Sequence, residues 1–468
     1  MIDAIGAVAS VMLPWAAGTL AVRALWYRPG QGAPSLPLAL GYGYLAGLLI
    51  ATAAMRGFSF AGVRWSLPLL AGAVATAGAI SAWLAHRSGP PAFAPDGLCT
   101  NLASEPRPLR ALFWCALALV ALRLAGLAVE VSVSPFRAYD AWAHWGTKAI
   151  VWHEEGRMVP FVSPAAWIAG GDARVFTDGN PGHPANVPLM LAWSATFLSR
   201  WSESLVNAPW VALAIALALA FYAQARLAGA SAPLAMTGTW LVMSLPILNL
   251  HVALAGAADV VLGSAYAMAA MAMWRWTVTR EREMAALAAL AATFAVGVKV
   301  EGMLWVATLL PGVVVALHRR AGFALAAAFA AAAAGYVAFG PDSLPVLGYV
   351  LKSKPYNVLP TLRDHLFVFD NWHLGWYAVV AIAAWRWRIL LAPRVAPMTF
   401  TILAGVALIG VVYFFTNAAL GVRNETLVNR MPLHLAPAIA FYALLLVVEG
   451  RGRPGVQPSL QATYAADA

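Results

Sequence analysis

Runs of about 20 apolar residues recur along the whole chain, and no other feature constrains its fold so tightly. Each run is long enough to cross a hydrocarbon core of about 30 Å as a helix. Inside lipid only helices and closed barrels satisfy their own backbone polar groups, and the short alternating strands of a barrel are missing from this sequence. Composition agrees: 62% of the 468 residues are hydrophobic and 11% are charged, against about 25% charged residues in soluble domains. A soluble enzyme is excluded. The expected fold is an all-α polytopic membrane protein.

Thirteen spans are predicted, at 5–25, 37–56, 66–86, 111–130, 205–225, 234–249, 258–276, 285–298, 302–317, 321–339, 374–391, 398–416 and 433–449. A further apolar stretch at 187–198 is too short to cross and should dip into the membrane or lie along it. Arginines mark alternate connections: Arg23 and Arg28; Arg87, Arg107 and Arg110; Arg226; Arg275, Arg280 and Arg282; Arg319 and Arg320; Arg386, Arg388 and Arg394; Arg451 and Arg453. The positive-inside rule assigns these connections to the cytoplasm. Two long segments, 131–186 and 341–372, then face the extracytoplasmic side. Segments of that length usually carry function, and these are rich in Trp, Pro and Gly. The net charge of +10 is read as topology and lipid contact, with no nucleic acid as partner. The Ala-rich run between Ala324 and Ala334 is expected to be close-packing helix surface.

Chemistry concentrates in a few places. In the stretch Phe136 to Arg157, helical spacing puts Asp140, His144 and Lys148 in one stripe, with Trp142, Trp145 and Trp152 beside it. This predicts an interfacial helix anchored by tryptophan, presenting a carboxylate, an imidazole and an ammonium; the same charges also serve simply to solvate such a helix. His183 lies in a Pro/Gly-rich turn before the 187–198 stretch. Asp259 opens a span after ALAGAAD, Lys299 and Glu301 share GVKVEG, and Arg430 and His434 share NRMPLHLAP. Charges at membrane depth are costly and usually line a pathway or a site, local ion pairs and snorkelling anchors being the alternatives.

The order of these motifs, a DAW–W–KA segment in a large outer loop, a His-Pro segment, A–D at a helix start, K-x-E-G and R–LHL–P, resembles bacterial GT-C glycosyltransferases. Those are integral-membrane enzymes similar in plan to protein O-mannosyltransferases and lipid A aminoarabinose transferases. The resemblance covers roughly residues 110–450 and departs from the family in two ways. Three extra spans come first, and the usual His-Pro-x-Tyr-Pro reads His183-Pro184-Ala185-Asn186-Val187-Pro188. It implies a GT-C-like bundle with interfacial helices in its outer loops. The division is an N-terminal three-helix extension (1–110), a catalytic module (111–450) and a cytoplasmic tail (451–468).

The activity implied is inverting transfer of a sugar from a polyprenyl-phosphate-linked donor to a glycan, lipid or protein acceptor. The site would lie on the outer face of a bacterial inner membrane. Asp140 is then the expected base, with Glu154 or Glu155 as fallback. Lys148, Lys299 and Arg430 are candidates for the donor phosphate, with His144, His183, Asp259, Glu301 and His434 around the same substrate. All four lysines, Lys148, Lys299, Lys352 and Lys354, fall on the outer side. Asp172, Asp178 and Asp370 are available to a divalent cation, although no ligand spacing identifies one. The rival readings are an O-antigen ligase or polymerase and a lipid-linked sugar transporter.

Overall fold

A computed structural model describes residues 2–26, 33–87, 93–94, 98–170, 175–346 and 349–450. Arg28, Asp172, Arg451, Arg453 and the tail 451–468 lie outside the described residues. The described residues are predominantly helical. Helices α1 (Ile2–Ala24), α2 (Leu36–Phe60), α3 (Leu67–Arg87) and α4 (Arg107–Val133) come first. The long segment after them holds a π turn (Ala141–Trp145) running into α5 (Gly146–Glu155), then α6 (Pro164–Gly170). A short parallel pair, β1 (Phe161–Val162) with β2 (Phe176–Thr177), closes it.

Next come α7 (Asn186–Ala195), α8 (Ala208–Leu227), α9 (Ala232–Met243), α10 (Pro246–Ala253), α11 (Asp259–Thr279) and α12 (Arg282–Val296). They are followed by α13 (Glu301–Ala307), α14 (Leu310–Leu317) and α15 (Arg319–Phe339). The second long segment carries the antiparallel pair β3 (Leu344–Val346) and β4 (Tyr349–Leu351), then α16 (Leu359–Arg363). Helices α17 (Gly375–Trp385), α18 (Ala396–Phe415), α19 (Ala419–Arg423) and α20 (Arg430–Glu449) are the last among the described residues.

Among the described residues, eight helices are long and apolar enough to cross a membrane: α1, α2, α3, α4, α8 with its lead-in, α15, α18 and α20. The other five predicted spans take different forms. The one at 234–249 is the pair α9 and α10, bent by 61° at Ser244 and Leu245 ahead of Pro246; a proline cannot continue the helix before it and deflects the residue it follows. That at 302–317 is the broken pair α13 and α14. Those at 285–298 and 374–391 are helices of 15 and 11 residues. That at 258–276 is α11, 21 residues long but less apolar. The 187–198 stretch is α7, a ten-residue helix with every residue buried, about half the length of a crossing.

One continuous core joins α1 and α2 to the later helices. The Trp193 indole donates to the Ser10 carbonyl at 2.7 Å, and the Tyr42 hydroxyl donates to the Met268 carbonyl at 2.8 Å. The Ala-rich run differs from its expectation. Within α15 only Gly322 is buried, so the alanines face outward instead of packing against a neighbour; small side chains permit close approach but do not compel it.

The two ends of the bundle have different chemistry. At one end Arg275 pairs with Glu281 at 3.0 Å and Arg394 with Glu449 at 3.1 Å. There Arg280 and Arg319 also donate to the carbonyls of Ala316 and Leu391. Both long segments sit at the other end. The Asp140 turn reaches Arg430, and the second segment reaches Asn429 through Trp372 and His365.

Candidate functional site

Several helices begin at this second end, and their first residues supply the charges. Asp259 opens α11, Glu301 opens α13 and Arg430 opens α20. A carboxylate in the first turn of a helix is favoured by the unpaired N–H groups and positive dipole end there. The Asp259 side chain has no solvent exposure. Its Oδ1 accepts from Lys299 Nζ at 3.2 Å and from His434 Nε2 at 3.0 Å, and its Oδ2 accepts from Arg430 Nε at 2.8 Å. Removing a carboxylate from water costs several kcal/mol, so such a group persists only when its oxygens are fully engaged, as here.

The same guanidinium donates through Nη2 to Oδ2 of Asp140, which makes Arg430 a bridge between a buried acid and an accessible one. Asp140 keeps about a quarter of its side chain exposed. Lys299 also lies 3.6 Å from Glu301. Three carboxylates therefore meet two permanent cations, with His434 under an edge-on Trp305 ring.

A close backbone approach makes this convergence possible. Gly256, three residues before Asp259, has φ +87°, a conformation that costs glycine little. A Cβ there would meet Ala141 Cβ at 2.9 Å and the Phe136 ring at 3.0 Å. The turn is fixed further by the Trp210 indole, which donates to the Ala257 carbonyl at 2.9 Å.

The predicted stripe of Asp140, His144 and Lys148 is divided. Between the first two residues the chain winds as a π turn, whose i→i+5 bonding shifts the phase of the side chains that follow. Asp140 turns to Arg430, whereas His144 and Lys148 converge on Asp178. His144 Nδ1 is 2.5 Å from Asp178 Oδ1, and Lys148 Nζ is 2.6 Å from Oδ2. Lys148 also donates to the Asn180 carbonyl at 2.8 Å.

Burial of Asp178 opposes its ionisation, but the hydrogen bonds from Lys148, His144 and the Asn180 backbone prevail and hold its carboxyl below the usual range. His183 stands beside this group, its ring 5.0 Å from Trp145 and 6.5 Å from His144. Burial pushes the His183 imidazole below its ordinary pKa.

The structure thus gathers Asp140, Asp259, Lys299, Glu301, Arg430 and His434 in one cluster, and places His144, Lys148 and His183 around a second. Glu154 and Glu155 stand at the far end of α5 and bond to neither among the described residues. Asp370 is exposed and pairs with His373 at 3.0 Å. Among the described residues no group of three or more His, Cys, Asp or Glu side chains is arranged to hold a metal ion.

The roles of two further residues emerge only in three dimensions. Asp178 is the hub of the second cluster. Asn186, at the start of α7, receives Arg56 of α2 at 2.6 Å and donates to the Phe294 carbonyl at 2.9 Å. Asp178 lies just before the His183 motif and Asn186 within it, yet only their partners in space reveal the role.

A cleft of about 1030 Å³ opens between α4, α9, α17 and α20. It is mostly apolar, with Arg123, Glu130 and His373 among its lining, and Trp372 at its edge donates to Asn429, next to Arg430, at 3.2 Å. No family model, curated protein or solved structure matches this chain.

Proposed function

We propose that this protein is a membrane-embedded inverting glycosyltransferase of GT-C type. It moves a sugar from a polyprenyl-phosphate donor to a glycan, lipid or protein acceptor at the extracytoplasmic face of a bacterial inner membrane. The observation that carries the reading is the pairing of Asp140, accessible to solvent, with Arg430, whose other partner is the buried Asp259. That pairing puts a proton acceptor next to fixed positive charge at the membrane edge, as the reaction requires.

In this mechanism the acceptor hydroxyl attacks the anomeric carbon and the new C–O bond forms as the bond to the phosphate oxygen breaks. The proton passes to the Asp140 carboxylate, and the electron pair leaves with the polyprenyl phosphate. Arg430 and Lys299 compensate the leaving group, while Asp259, Glu301 and His434 hold those cations in place. Because the resting guanidinium already engages Asp140, donor phosphate competes for it and frees the base as it binds. The apolar cleft ending at Trp372 offers a slot for the prenyl chain, outside the charged cluster but next to it.

The clustering of the charges at one end of the bundle favours this reading over a transporter, whose polar groups are spread through the membrane depth. The test is incubation of the detergent-purified chain with labelled polyprenyl-phosphate sugars. Consumption of the donor, with release of polyprenyl phosphate, is expected. An inert donor across such a panel would refute the assignment.

A further inference from the structure

A second cavity, about 380 Å³ in volume, lies against the Asp178 cluster. Its walls include Lys148, Trp152, Met158, Phe161, His183 and Ala185. Two features fix its aromatic side. The Trp152 indole donates to the Val159 carbonyl at 2.8 Å, which locks the ring, and Phe161 is pinned by the β1–β2 pair and by Phe176 at a centroid distance of 5.8 Å. The polar side is equally defined. Lys148 already pairs with Asp178 and bonds the Asn180 carbonyl, so the ammonium meets the cavity with its charge compensated. His183 Nδ1 is buried and has no partner among the described residues; a buried polar atom left unpaired carries a cost that a ligand hydroxyl would relieve.

We propose that this cavity binds a neutral, hydroxyl-rich ring of monosaccharide size. A pyranose has an apolar C–H face, which suits Trp152 and Phe161, and a polar rim, which suits Lys148 and His183 Nδ1. The volume falls within the range of small-molecule pockets. An anion is disfavoured because, among the described residues, no uncompensated cation lines the space. Trp145, against which His183 packs, belongs to the π turn that follows Asp140 directly. The cavity and the candidate base therefore flank one element. Naming the ring as the acceptor's terminal sugar rests on the reading given above; the binding chemistry does not.

The experiment is saturation-transfer NMR on the detergent-solubilised full chain without donor. The neutral probes are methyl glucoside, methyl galactoside and methyl mannoside; the anionic probes are methyl glucuronide and inorganic phosphate. At least one neutral glycoside is expected to receive saturation. Phe161→Ala and His183→Ala, checked for unchanged melting, should each weaken that binding by roughly fivefold or more, as expected for removing one aromatic face or one hydrogen bond. Three results would overturn the proposal: no transfer to any neutral glycoside, preferential binding of the anionic probes, or binding unaffected by both substitutions in folded protein. Donor consumption by the same preparation separates the two claims. A chain that consumes donor but binds no neutral glycoside loses only the cavity assignment, and one that binds glycosides but leaves all donors intact loses only the transferase reading.

Discussion

Asp259 and Asp178 are both carboxylates withdrawn from water at the same end of the bundle, and both hold a lysine and a histidine. They are assembled in opposite ways. Asp178 draws its partners from 30 to 34 residues away, within one extramembrane segment. Asp259 draws Lys299 from the connection ahead of α13, and Arg430 and His434 from α20, 40 to 175 residues along the chain. The first is a local latch that folds with its loop. The second exists only once α11, α13 and α20 have packed, so its charges report on the tertiary structure of the whole bundle. Arg430 extends that dependence to Asp140, the accessible acid.

This difference predicts unequal consequences when each hub is neutralised. Asp259→Asn removes the carboxylate that Lys299, Arg430 and His434 share, leaving Lys299 to Glu301 and Arg430 to Asp140; loss of so buried an ion-pair partner costs about 3–5 kcal/mol. Its apparent melting temperature in detergent should fall further than that of Asp178→Asn or Arg137→Ala. A wild-type melting curve would show that the cluster contributes no cohesion. Asp178→Asn should cost less, about 1–3 kcal/mol, because Asn180 still accepts from Lys148 and the amide replaces part of the hydrogen bonding. Equal losses for the two variants would erase the distinction between local and global assembly.

The latch should also be sensitive to acid. Asp178 ionises more readily in the folded chain than in the unfolded one. Its stabilisation is therefore complete above the ordinary carboxylate pKa of about 4 and is lost as pH falls through the lower folded value. Melting temperatures recorded downward from pH 5 should decline more steeply for wild type than for Asp178→Asn; parallel curves would exclude this origin. The smallest effect is expected at Arg137, which lies 4.0 Å from Glu130 with both side chains about half exposed. Pairs of that kind are largely screened, so Arg137→Ala should leave melting unchanged, and a clear drop would show that exposed pairs matter in this protein as well.

How far the sequence reveals this site follows from the same contrast. Apolar runs locate most of the helices because hydrophobic length is a local property, and unusual charges beside those runs single out Asp140, Lys299, Glu301 and Arg430. Their partners are less accessible to sequence reasoning. Helical spacing joins Asp140 to His144 and Lys148, but one π turn sends them to different carboxylates, and periodicity assumes that winding is uniform. Asp178 reads as one acid among several until His144 and Lys148 are found on it. Gly256 matters through its approach to Ala141, 115 residues earlier, which no local pattern reports. The stretch 234–249 is continuous in hydropathy yet bent by 61° ahead of Pro246, whose effect on geometry exceeds its effect on apolarity.

If Asp140 accepts the acceptor's proton while Arg430 receives the donor phosphate, the decisive experiment is single-turnover transfer from a labelled polyprenyl-phosphate sugar by Asp140→Asn, with donor binding measured in parallel. Asparagine keeps the shape and removes the proton acceptor. Turnover should fall on the order of 10²-fold or more, within the range for general-base catalysis. Donor affinity should hold or rise, because the guanidinium is no longer contested by the Asp140 carboxylate. A folded Asp140→Asn protein that transfers sugar at near the wild-type rate would contradict both roles.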